Sequence, residues 1–165
     1  MARILKHPVP DMLLARIGDV TVSFALLESV VQTLAHSLVG AGQRMGQAIT
    51  AELSFRNLRA LVASLSKERV LSDADLEELR GLLKRSQELE DVRNQITHSV
   101  WGAGNTKASI TRIKTTAKEK HGLRFVFEDV SEERLQEVCT DLKALSSDFQ
   151  VFWIRLVEEG KASNG

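Results

Sequence analysis

The sequence predicts an all-α fold, an antiparallel up-down bundle of four long helices with a small β-hairpin inserted between the third helix and the fourth. Three observations predict it. Apolar residues recur at alternating spacings of three and four over long stretches. The gaps between the first three stretches are short, which favours antiparallel neighbours. Before the last helix the period changes to alternation. The 165 residues are expected to make a single domain, 1–165, with a disordered tail at about 160–165.

The first helix spans roughly 11–39, carrying Leu13, Ile17, Val20, Phe24, Leu27, Val31, Leu34 and Leu38 along one side. Pro10 or Asp11 opens it and Gly40 and Gly42 end it. A second helix, roughly 44–66, carries Ile49, Phe55, Leu58, Val62 and Leu65. Ser72 followed by Asp75 resembles a capping box and starts a third helix, which Leu76, Leu79, Leu82, Leu83, Leu89, Val92 and Ile96 carry forward. The hairpin pairs Ala108–Thr115 with Leu123–Phe127 across a Lys-rich turn containing Gly122, with a third short strand expected near Val100–Gly102. Ser131 caps the fourth helix, whose seam runs through Leu135, Val138, Leu142, Leu145, Phe149, Phe152 and Leu156. A homodimer built on such helices is expected.

Composition excludes several function classes. With 22 Lys and Arg against 22 Asp and Glu, global charge draws the chain toward neither nucleic acid nor an anionic membrane, so such a partner must be met through a local patch. Cys139 is the sole cysteine, which excludes an internal disulfide framework and fits a cytoplasmic location. Pro8 and Pro10 interrupt the start of the chain where a secretory signal needs an apolar stretch, and no run is read as membrane-spanning. The four histidines never pair at metal-ligand spacing, so neither metal nor cofactor is expected. Gly40, Gly42 and Gly46 lack the strand and the following Lys-Ser or Lys-Thr of a phosphate loop and read as loop glycines.

One constellation remains, Arg93-Asn94-Gln95-Ile96-Thr97-His98, followed by Ser99-Val100-Trp101-Gly102. At roughly 100° per residue, Arg93 leans toward the apolar stripe while His98 points about 140° away from it. The two share a site only if the helix tightens or ends near Ile96–His98, or if a second copy completes it. Asn94 and His98, four apart, fall on one face.

An Arg followed by a polar residue and, after a few intervening positions, a His on a helix of a small bundle resembles the HEPN superfamily, the higher eukaryotes and prokaryotes nucleotide-binding domain. Phe24-Ala25-Leu26-Leu27-Glu28 and Trp101 extend the likeness to small stand-alone bacterial members. The resemblance implies a metal-independent endoribonuclease of toxin or defence type acting as a homodimer, with an antitoxin or regulatory protein as a further partner. His98 would then be general acid or base, the role an imidazole side chain most often takes in proton transfer. Arg93 would hold the scissile phosphate, and Asn94 would orient His98 or contact the phosphate. Products would carry 2′,3′-cyclic phosphate ends.

Local charge gives RNA a second foothold. Lys107, Arg112, Lys114, Lys118, Lys120 and Arg124 face a single acid, Glu119, between positions 107 and 124, a patch able to hold a nucleic-acid backbone. Exposed hairpins also carry Lys simply to block edge pairing. The alternative for the whole element is likewise structural: Arg93 and Asn94 tie down a helix end, Trp101 packs on the bundle, and the chain is a non-catalytic scaffold, regulatory or nucleotide-binding module.

Overall fold

The chain folds as α1 (Asp11–Val39), α2 (Gln43–Thr50), α3 (Phe55–Glu68), α4 (Asp73–Thr97), β1 (Val100–Ala103), β2 (Ser109–Lys118), β3 (Gly122–Ser131) and α5 (Glu132–Glu158) in a computed structural model that describes residues 7–69, 71–120 and 122–163. The expected all-α bundle of four helices with an inserted hairpin is therefore corrected. There are five helices among the described residues, and a three-stranded antiparallel sheet, ordered β1-β2-β3, follows α4. The fold is mixed, with helices predominating.

The fifth helix arises because the expected second helix breaks at 51–54. Leu53 N–H closes a tight turn on the Thr50 carbonyl at 3.1 Å. Ser54 then turns extended, at φ −62° and ψ 154°, and its hydroxyl accepts the Asn57 N–H. That is an N-cap, which restarts the helix. The apolar spacing had hidden the place, since Leu53 bridges the step of six from Ile49 to Phe55, of which Phe55 is buried and Ile49 exposed.

The other helix ends carry their own stops. Pro10 accepts the N–H groups of Leu13 and Leu14 at the start of α1. At its end Gly40 takes φ +70°, the left-handed conformation that glycine adopts at no steric cost. Arg69 donates to the carbonyls of Leu38 (2.6 Å) and Val39 (2.9 Å), satisfying acceptors that a helix C-terminus leaves over. Ser72 caps α4, accepting the Asp75 N–H at 3.2 Å, and Ser131 caps α5, accepting the Arg134 N–H at 3.2 Å. α1 is long and apolar enough to cross a membrane by length and composition, contrary to the sequence reading, with half of that stretch buried in protein.

The chain divides into two compact units, Met1–Val22 with Asp91–Thr140, and Ser23–Glu90 with Asp141–Gly165. In the second, Phe24, Leu27, Leu34, Leu58, Val62, Leu142, Leu145, Phe149 and Phe152 are fully buried, and Phe24 meets Phe55 edge to face at 5.0 Å between centroids. Asp75, 2% exposed, receives Arg155 and Lys161, each at 2.6 Å, and the Ser72 hydroxyl. The Lys161 and Ser72 hydrogen bonds hold its carboxyl well below the usual range. Ser163 bonds the Ser37 carbonyl, so the tail expected to be disordered is fixed through 163. Residues 164–165 lie outside the described ones.

His36 in this unit contacts the Thr50 hydroxyl at 2.8 Å, and that hydroxyl donates its one proton to the Gly46 carbonyl. Thr50 therefore accepts from His36, which must carry its proton on Nε2. Burial pushes the His36 pKa down. Gly46, read from sequence as a loop glycine, is a buried residue of α2, and a Cβ there would lie 2.7 Å from the His36 ring.

The first unit comprises the sheet, the N-terminal parts of α1 and α5 and the last turns of α4. Leu13, Val20, Ile96, Ile110, Val130, Leu135, Val138 and Cys139 are its core. Arg16 pairs with Glu132 at 3.0 Å. β2 is central, pairing Val100↔Ile113 through Ala103↔Ile110 on one side and Ser109↔Ser131 through Lys118↔Gly122 on the other. Because side chains alternate, Trp101, Arg112, Lys114, Arg124, Val126 and Glu128 share one sheet face, and Val100, Ile113, Leu123, Phe125 and Phe127 share the opposite face.

Candidate functional site

The last turn of α4 is regular, with His98 N–H bonded to the Asn94 carbonyl at 3.1 Å. α4 ends at Thr97, within the stretch where the sequence allows an end, but His98 keeps the helical bond, so the helical wheel still decides where these side chains go. Arg93 is half-buried and donates through Nη1 to Asn94 Oδ1 at 2.9 Å. His98 is exposed. The two diverge within the chain.

The sheet docks beside that turn through two anchors. Trp101, half-buried on β1, donates its indole N–H to the Ile96 carbonyl at 3.0 Å, satisfying a helix-end acceptor. Arg112 on β2 reaches Gln95 Oε1 at 2.8 Å through Nη1, and pairs through Nε and Nη2 with Glu128 Oε2 on β3. Its guanidinium is held between a helix amide and a strand carboxylate, in a fixed direction.

These elements enclose an open hollow of about 540 Å³. Asn94 and His98 line it from one row of α4, Asp91, Gln95 and Ser99 from the adjacent row, and Arg112 and Lys114 from β2. A smaller hollow of about 90 Å³ shares Gln95 and Arg112 and is floored by Ile96, Trp101, Val130 and Val138. Lys114 is exposed and has no ion-pair partner among the described residues. The larger hollow thus presents an imidazole, two amides, a hydroxyl and two cations against one carboxylate, a set matched to an anion with several oxygens. Among the described residues no three His, Cys, Asp or Glu side chains gather as a metal ion would require.

Of the three residues expected to be catalytic, then, Asn94 and His98 meet in this hollow and Arg93 does not line it. Of the expected basic patch, Arg112 and Lys114 line it. Lys107 stands exposed in the β1–β2 loop, Lys120 in the β2–β3 turn and Arg124 on β3, while the side chain of Lys118 lies outside the described ones. Gln95, Asp91 and Ser99 were missed as site residues. Their spacing of four was the available signal, since it sets them in a row beside Asn94 and His98.

Comparison of the chain with protein-family models, with curated proteins and with solved structures finds no match. The family resemblance rests on the residues that suggested it.

Proposed function

We propose that the chain is an RNA-binding protein of HEPN type that cleaves its substrate as a metal-independent endoribonuclease, with the hollow at the end of α4 as its site. The observation that carries the reading is the convergence of exposed His98 with Asn94, Arg112 and Lys114 on one solvent-open surface. Arg112 and Lys114 hold the phosphate backbone. His98 takes the proton of the 2′-hydroxyl as its oxygen attacks phosphorus and the bond to the 5′-oxygen breaks, leaving a 2′,3′-cyclic phosphate, while solvent or a second imidazole returns a proton to the leaving oxygen. Asn94, one turn before His98, is placed to orient the ring or to bond a phosphate oxygen. Arg93 fixes the Asn94 amide and so acts as a positioning residue here, in place of the phosphate contact that the resemblance implies.

The test is RNA degradation in low salt with a chelator present. Wild-type protein is expected to yield fragments with cyclic phosphate ends, and His98→Ala, checked for unchanged fold by circular dichroism, to lose at least about a hundredfold in rate. Equal rates in both proteins, or none in either, end the catalytic reading. A second reading, a non-catalytic RNA-backbone module, is favoured by the commitment of Arg93 to Asn94 and of Arg112 to Glu128. It expects binding that weakens steeply with salt, is reduced by Lys114→Ala, and is accompanied by no cleavage.

A further inference from the structure

β3 ends the sheet, and among the described residues no strand pairs with its outer edge. Ten residues long, it contains no proline, and its Leu123, Phe125, Val126 and Phe127 are half to two-thirds exposed. A long apolar edge of this kind is a template for another strand, and proteins usually blunt such an edge with proline, a bulge or inward charges. β3 instead carries charges in a particular order.

The order is self-complementary. Around Val126 the strand reads Arg124-Phe125-Val126-Phe127-Glu128. If it meets its own copy antiparallel with Val126 opposite Val126, Arg124 falls opposite Glu128 of the second copy, Phe125 opposite Phe127, and each pair recurs by symmetry. Opposite charges and aromatic pairs directly across an antiparallel ladder are stabilising. A register centred one residue away, on Phe125 or Phe127, places Arg124 opposite Val126 or Val130, losing both ion pairs and keeping one aromatic pair in place of two. Glu128 has room for the second arginine, because both contacts from Arg112 use Oε2. Arg124 has no ion-pair partner among the described residues of its own chain.

We infer that the chain forms a two-fold dimer by pairing β3 with β3 of a second copy, centred on Val126, making one six-stranded antiparallel sheet. Two faces follow from the register. Leu123, Phe125 and Phe127 of both copies join into one apolar face. On the other face Lys114 lies opposite Val126 within each copy, so the two Lys114 positions stand in line across three strand spacings, about 14 Å apart. Both hollows then open on the same sheet face, where a single nucleic-acid strand can run from one to the other. The pairing itself stands on the strand pattern alone, independently of the ribonuclease reading.

Cysteine cross-linking tests it. In V126C the new thiols sit directly across the axis, at a spacing that a disulfide bridges. In R124C each thiol is four strand positions from its twin, about 14 Å away and out of reach. The native Cys139 is fully buried, so the wild-type chain serves as the blank. Expected results are a dimer in sedimentation, a covalent dimer of V126C under mild oxidation, none from R124C or wild type, and a dimer dissociation constant raised about tenfold by R124E. A monomer at the highest concentration reached overturns the inference. So does a dimer in which V126C fails to cross-link, including one held by another exposed row such as Val22 and Leu26 of α1. His98→Ala leaves this readout unchanged, so failure of the nuclease assay and failure of the cross-link are distinguishable.

Discussion

Gly46 is a residue whose role is set by what leans against it. The His36 ring occupies the space a methyl would need, and the ring is in turn fixed by donating to Thr50. Neither neighbour yields cheaply, because moving His36 breaks that hydrogen bond. Gly46→Ala is expected to cost about 1–3 kcal/mol in urea denaturation, the usual penalty of overpacking, although alanine is the better helix former. Arg93 teaches a related lesson about side-chain direction. Its position on the helical wheel, inclined to the apolar stripe, already separated it from His98. The sequence carried no sign that its guanidinium would settle on the adjacent Asn94 amide, since any nearby acceptor satisfies the same need.

At the level of elements, the boundaries that hold are those with local chemistry. Ser72 and Ser131 start α4 and α5 where their hydroxyls meet the N–H three residues on. Ser54 does the same for α3, but apolar spacing on both sides of the break let the eye join two helices into one. Ser54→Ala is expected to destabilise the fold by about 1 kcal/mol, read as a lower urea midpoint with an unchanged slope. Strand existence was legible from alternation. What alternation did not disclose is that β3 exposes both of its faces from Gly122 to Asp129, with Val130 its first buried residue. Exposure depends on what packs above a face, and that is decided by residues distant in sequence.

For the whole molecule, the helical cores were readable because burial follows the three-and-four spacing. The candidate site was readable only in part. Asn94 and His98 follow from one helix face, whereas the partnership of Arg112 with Gln95 and Glu128 needs the strand register and the docking of sheet on helix end. Stability should depend on acidity in a defined direction. His36 and Asp75 both have folded pKa values below their ordinary ones. Each therefore contributes stability that is complete above its unfolded pKa, about 6.5 and about 3.9, and is lost as pH falls toward the folded value. Melting temperature is expected to decline from pH 7.5 to 5.5 and to fall again below pH 4. His36→Gln, which takes up no proton, should flatten the first decline and leave the second.

The strand order also governs how far assembly can proceed. One margin of the sheet is ten residues long and the other, β1, is four. Once two long margins have closed on each other about a two-fold axis, only the short ones remain, each pinned by Trp101 to its helix. In the proposed dimer growth would stop at two copies, and a protein that leaves so much aromatic surface on an open strand would be spared the filaments that such surface otherwise seeds.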